Sequence, residues 1–252
     1  MPGMKAAPAL FRPGTDDMLE TGGVHVWAVA ARSIDPAQFL AVLDAEELDR
    51  AARFRFERHR REYVAAHWLL RRALSHYDGR APAAWRFATE RDGRPVIADA
   101  ARKPNDLRFS LSHADGRALV AITRDQAVGV DLEADASLGR MGDVAPRILS
   151  PAERALWQQQ PDPQQAARFA LTRWTLKEAY AKARGLGLKL DFASVGFAES
   201  KGSWALSDAP ADDAGARDWR FFTFAPWPDT YAALAVLAGG GAVDRRLFKI
   251  TP

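Results

Sequence analysis

Two α+β (α/β) units of similar plan, each a small, mostly antiparallel sheet packed with one long helix, are what this 252-residue chain predicts. Three observations carry that reading. An apolar strand pattern, a short helix with a capping signal and a long helix-period stretch stopped at glycine occur twice in the same order. A cluster of strand patterns follows each long helix. A hydrophobic content of 48% over this length is enough to bury a real core in each half.

Before Gly23 the chain reads as a loose N-terminal arm, residues 1–22. Val24 to Ala30 alternates as a strand. Asp35-Pro36 opens a helical stretch through Leu43, and Asp44 is a suitable N-cap for a helix from Glu46 to about Phe54. Glu57 to Tyr77 places Tyr63, Val64, Leu70 and Leu74 at helical spacing and stops at Asp78-Gly79. Strands are expected at Trp85–Thr89 and Val96–Ile97 around an Asp92-Gly93-Arg94-Pro95 turn. A hairpin of Leu107–Ser112 and Ala118–Thr123 should turn at Asp115-Gly116. The first unit then covers residues 23–127 and the second residues 128–252. Val128 to Glu133 opens the second unit as a strand. Ser150, Pro151 and Glu153 form a capping-box start. A helix of about Ala166 to Arg184 ends at Gly185, and strands follow near Val195–Phe197, Trp204–Leu206, Trp219–Phe224 and Tyr231–Leu237.

Composition excludes several classes. The chain has no cysteine, which rules out disulfides and thiolate metal sites. No apolar segment near Met1 resembles a signal peptide, and the longest apolar stretch, Tyr231 to Val243, is interrupted by three glycines, so no membrane span and a cytoplasmic protein are expected. The formal charge is only +3, but Arg50, Arg53, Arg55, Arg58, Arg60 and Arg61 crowd into twelve positions. They either solvate one helix face or form an anion site. Nucleic acid is not expected, because the rest of the chain has no basic excess to track a backbone.

Three carboxylates point to chemistry. Asp131 and Glu133 lie two apart in Val-Gly-Val-Asp-Leu-Glu, so a strand puts both on one face, where two like charges need a cation or water. Glu178 lies in a helical stretch with Lys182 one turn on. If that helix packs on the strand, the three make an all-oxygen cluster suited to Mg²⁺, which usually completes its shell with water and phosphate. Ser112 and His113 are adjacent on a strand and face opposite ways, and no nucleophile elbow is present, so a serine hydrolase is not expected. A phosphohydrolase and a non-catalytic binding module stay open at this level.

Taken together, Gly93-Arg94-Pro95, Ser112-His113, Val128 to Glu133 and Trp174 to Leu188 resemble, in order and spacing, the Sfp-type 4′-phosphopantetheinyl transferases. The resemblance spans roughly Val24 to Leu237. It implies transfer of the phosphopantetheine arm from coenzyme A to a serine of an apo acyl or peptidyl carrier protein, releasing adenosine 3′,5′-bisphosphate. By the same carry-over, Asp131, Glu133 and Glu178 are Mg²⁺ ligands. Glu178, directly or through a water, is the base, and Lys182 neutralises the leaving phosphate. Arg50, Arg53, Arg61, Arg94, Ser112, His113 and Lys177 are the further coenzyme A contacts, with Arg94 near the adenine. Where the family often has a second basic residue before the Arg50 position, this chain has Glu46 and Glu47. An acidic carrier is expected to dock on apolar and arginine residues, with the segment from Leu138 to Trp157 a source of that surface. A monomer is expected.

Overall fold

Both glycine stops and both capping signals are realised, and each leads into one five-stranded sheet carrying one 22-residue helix. The computed structural model describes residues 5–6, 18–31, 39–90, 93–98 and 106–250. The chain divides into one compact unit of residues 127–242 and another in which residues up to 126 are joined by the C-terminal strand.

The first unit holds β1 (Lys5–Ala6), β2 (Gly23–Ala30), α1 (Ala45–Ala52), α2 (Glu57–Asp78), the ribbon β3 (Phe87–Thr89) with β4 (Pro95–Ile97), β5 (Leu107–Ala114) and β6 (Arg117–Arg124). The second holds β7 (Val128–Ala134), α3 (Met141–Ile148), α4 (Pro151–Gln158), α5 (Pro163–Arg184), β8 (Gly196–Ser200), β9 (Ser203–Asp208), β10 (Trp219–Phe224) and β11 (Thr230–Leu237). Strand β12 (Asp244–Ile250) returns to the first unit. Strand orders are β1-β12-β2-β6-β5 and β7-β11-β10-β9-β8. The second sheet is antiparallel throughout; the first is antiparallel except that β12 runs parallel to β2 and β1 parallel to β12.

Each long helix buries one face on its own sheet. Leu70 and Leu74 of α2 are fully buried in a cluster with Trp27, Val29, Phe109, Val120 and Ile122. Leu176, Tyr180 and Ala183 of α5 pack with Phe197, Phe221, Ala233 and Ala235. A leucine buried this completely contributes about 2 kcal/mol relative to an exposed one.

The two units share a constant register of 106 residues. Gly23 pairs with Gly129, Asp44 with Ser150, Glu47 with Glu153, Trp68 with Trp174, Arg71 with Lys177, and Gly79 with Gly185. The matched residues do the same work. Asp44 and Ser150 are N-caps closed by Glu47 and Glu153 in capping boxes. Arg71 donates to Glu47 Oε2 at 2.9 Å, and Lys177 is ion-paired to Glu153 at 2.5 Å. Glycines 79 and 185 take left-handed C-cap conformations. At the matching strand positions, however, His25 and Trp27 stand where the second unit has Asp131 and Glu133. Both bond to Tyr77 Oη, at 2.7 and 2.9 Å. Packing has replaced charge in the first unit.

Three expectations need correction. The boundary of the second unit does not run to the C-terminus, because β12 pairs with β2 from Asp244↔Gly23 to Ile250↔Val29. The N-terminal arm is not wholly loose, since Lys5 and Ala6 add to the far side of β12; residues 1–4 and 7–17 lie outside the described residues. A helix not foreseen, α3, occupies residues 141–148 despite Pro146. Of the helical stretch expected at 35–43, residues 35–38 lie outside the described residues, 39–40 are helical and 41–42 form a turn.

Candidate active site

Gly129, Asp131 and Glu133 share one face of β7, and α5 lies directly on that face. Gly129 makes this possible: a Cβ there would sit 1.9 Å from Ala179 O and 2.6 Å from Ala183 N, so only glycine lets the helix backbone seat. On the neighbouring strand, Asp131 is registered with Ala233 and Gly129 with Ala235, keeping the floor beneath the helix small. Trp174, Glu178 and Lys182 are spaced by four and form one stripe along α5. The stripe runs antiparallel to the strand. Trp174 reaches Glu133, and Lys182 reaches Asp131.

The contacts are specific. Lys182 Nζ donates to Asp131 Oδ1 at 2.7 Å and to Val130 O at 3.2 Å. Trp174 Nε1 donates to Glu133 Oε1 at 2.8 Å, Arg140 Nη2 to the same oxygen at 2.9 Å, and Ser137 Oγ to Oε2. Glu178 is half-buried between them. Burial, then the charge of Asp131, opposed by Lys182 and reinforced by Glu133, pushes its carboxyl up to about 7. Three carboxylates from two elements therefore share one electrostatic environment.

Among the described residues no three acidic or histidine side chains are gathered as a finished metal cage. The reason is visible in the bonding: Asp131 is turned to Lys182, and Glu133 to Trp174, Arg140 and Ser137. The donor set still fits a hard cation. It is all carboxylate oxygen, it carries more negative charge than its neighbours cancel, and Glu133 Oε2 accepts one bond of the two it can. Asp131, Glu133 and Glu178 are the residues that would hold such an ion.

One expected contact is overturned. Lys177 does not face the carboxylate stripe. Its side chain is fully buried, and Nζ donates to Glu153 Oε2 and Ile148 O at 2.5 Å and to Phe192 O at 2.9 Å. Being one residue from Glu178 turns it about 100° around the helix, into the core. Burial pulls its pKa down against the opposing pull of Glu153. Its counterpart Arg71 is equally buried and forks to Asp44 and Glu47, so this is an internal brace in both units.

The remaining expected ligand contacts lie in the first unit. Arg50 stacks over Tyr63, 5.6 Å from the ring centroid. Arg53 pairs with Asp49, and Arg61 with Glu57 at 3.1 Å, all exposed on helix surfaces. Glu47, the acidic departure beside Arg50, faces inward: burial raises its pKa, but His67 and Arg71 more than offset this and hold it below the usual carboxylate range. It is a helix cap rather than a lost ligand. Ser112 is buried, whereas His113 faces Glu62 at 3.5 Å on the α2 side of β5. Glu62 also accepts from Gly116 N at 2.8 Å. Burial raises Glu62, and His113 and Gly116 bring it below its ordinary value. Arg94 lines a half-open cleft with Arg80, Trp85, Val96 and Arg108.

Sequence reasoning missed five contributors: Gly129 as the helix seat, Trp174 as donor to Glu133, Arg140 and Ser137 as its further partners, and Glu62 beside His113. The glycine and the tryptophan were in the quoted motifs, but their partners become visible only when strand and helix are paired.

Comparison with known proteins identifies the family. Residues 27–125 match a family model described as 4′-phosphopantetheinyl transferase, N-terminal, and residues 127–236 one described as 4′-phosphopantetheinyl transferase superfamily. The chain is 32% identical to the 4′-phosphopantetheinyl transferase HetI of Nostoc sp., over 86% of this chain and 89% of that one. It is 26% identical to the 4′-phosphopantetheinyl transferase Sfp of Bacillus subtilis, over 62% and 66%. The structure of Thermotoga maritima holo-[acyl-carrier-protein] synthase matches with a TM-score of 0.36 and 28% identity, covering 48% of this chain and 64% of that one. No helix among the described residues is long and apolar enough to cross a membrane.

Proposed function

This chain belongs to the 4′-phosphopantetheinyl transferase superfamily and transfers 4′-phosphopantetheine from coenzyme A to carrier proteins, and we propose that its second unit does so through a divalent cation held by Asp131, Glu133 and Glu178. The observation that supports this best is the alignment of the Trp174–Glu178–Lys182 stripe with the Gly129–Asp131–Glu133 face. A magnesium ion bound there would polarise the coenzyme A diphosphate and neutralise charge on the leaving group. Lys182, a third exposed beside Asp131, supplies a fixed positive charge to the phosphate that departs with adenosine 3′,5′-bisphosphate. Glu178 accepts the proton lost by the carrier serine as its oxygen bonds to phosphorus and the bridging P–O bond breaks.

In the first unit we assign His113, positioned beside Glu62, and Arg50 to the coenzyme A phosphates, and Arg94 to the adenine end, where its cleft offers Trp85 and further arginines. Arg53, at the end of α1, and Arg61, on α2, are reserve cations, and Ser112 supports the strand. An acyl or peptidyl carrier with an acidic surface would meet α3 and α4, where Leu156 and Arg147 are exposed. One chain already contains both halves of the repeat, so a monomer is the working unit.

The test is mass gain of one phosphopantetheine on an apo carrier incubated with coenzyme A and Mg²⁺. Asp131→Asn and Glu178→Gln should each lower the transfer rate by about 10²-fold or more while circular dichroism stays native. Full activity in either variant contradicts the assignment. Phosphate release from coenzyme A without a carrier would instead favour a hydrolase.

A further inference from the structure

The turn after β7 folds a cation back onto one of these carboxylates. Arg140 ends the 3-10 turn of residues 135–140. Its guanidinium donates to Glu133 Oε1 at 2.9 Å and to Ser137 Oγ at 3.3 Å. Trp174 Nε1 donates to the same Oε1. Both lone pairs of that oxygen are therefore used, one by a neutral indole and one by a full positive charge.

These two donors respond differently when a second cation approaches. Trp174 is fixed in α5 by packing against Phe192 at 5.5 Å and carries no charge to repel an ion. The Arg140 side chain is 54% exposed, whereas that of Glu133 is 13% exposed. Arg140 can retreat into water at little cost, because an ion pair this open is weakly held. The carboxylate cannot leave the face of β7.

Resting on the reading that β7 and α5 hold a divalent cation, we propose that Arg140 is a built-in rival of that cation for Glu133. In the metal-free chain it occupies one carboxylate oxygen, and its positive charge opposes entry of the ion. Arg140 is thus a positioning residue that sets how tightly the site binds metal. The assignment depends on its charge and exposure, and on no contact with substrate. Lys182 makes a comparable pairing with Asp131 but is less open to water, 30% exposed against 54% for Arg140.

Free Mn²⁺ followed by electron paramagnetic resonance, titrated into the full-length chain at low ionic strength, tests this directly. Arg140→Gln should bind Mn²⁺ about three- to fivefold more tightly than wild type. Arg140→Lys, which retains the charge, should remain within about twofold of wild type, and the gain of the glutamine variant should shrink in high salt. Equal or weaker binding by Arg140→Gln, with wild-type binding that Glu133→Gln impairs, overturns the inference and leaves the metal site standing. If wild type and Arg140→Gln both bind no Mn²⁺ that Glu133→Gln can weaken, the metal reading itself has failed and takes the inference with it.

Discussion

Replacing Gly129 with alanine is expected to lift α5 off β7 and destabilise the second unit by about 3 kcal/mol or more. The added methyl carbon would lie 1.9 Å from Ala179 O, 2.6 Å from Ala183 N and 2.9 Å from Ala179 C. All three are backbone atoms in the last two turns of a regular helix, so no side chain can rotate away. The helix must translate, and Glu178 and Lys182 move with it. For a chain of this size such a loss lowers the melting temperature by roughly 6–12 °C. Carrier modification should fall with it, because the stripe on α5 no longer meets Asp131 and Glu133. A melting temperature within about 2 °C of wild type would mean that the helix does not rest on Gly129.

Lys177→Met is expected to cost about 3–5 kcal/mol, because it leaves Glu153 buried without its counter-charge. The Glu153 side chain is only 2% exposed and that of Lys177 is fully buried. The loss also removes a donor from Ile148 O and Phe192 O. Adding Glu153→Gln should recover part of the stability by removing the unpaired buried charge, while its one amide oxygen can still accept from either Ser150 N or Phe197 N, which now donate at 3.0 and 2.9 Å to different oxygens of Glu153. This experiment also separates an internal brace from a ligand contact. If Lys177 touched coenzyme A instead, the methionine variant would keep its melting temperature and raise the KM for coenzyme A.

The carboxylates were legible in the sequence because simple periodicities place them. Two residues apart on a strand and four apart on a helix are spacings that fix a face without knowledge of the fold. The capping boxes at Asp44 and Ser150 and the stops at Gly79 and Gly185 were legible for the same local reason. What the local signals could not reveal was partnership. Lys177 sits beside Glu178 in the motif, and only the helix's docked orientation shows that it points into the core. Helix α3 was hidden because Gly142 and Pro146 contradict helical propensity, and its burial of Met141, Ala145 and Ile148 overrides them. Strand β12, Asp-Arg-Arg-Leu-Phe-Lys-Ile, follows a glycine turn and pairs with a strand more than two hundred residues earlier; no local pattern announces a parallel partner at that distance. The internal repeat was present in the letters all along. Similar plan was evident, but residue-level likeness emerges only at the fixed 106-residue register, where structural positions match and chemical ones diverge.

That divergence leaves the acidic face in the second unit, where the first has His25 and Trp27 on Tyr77. The most direct test is calorimetric titration of Mg²⁺ into the chain with coenzyme A present, comparing wild type with Asp131→Asn, Glu133→Gln and Glu178→Gln. Each change removes one negative charge with little change of shape. The predicted result is one ion per chain for wild type and binding at least about tenfold weaker in all three variants. Undiminished Mg²⁺ binding in the Glu178 variant would contradict a site shared between β7 and α5.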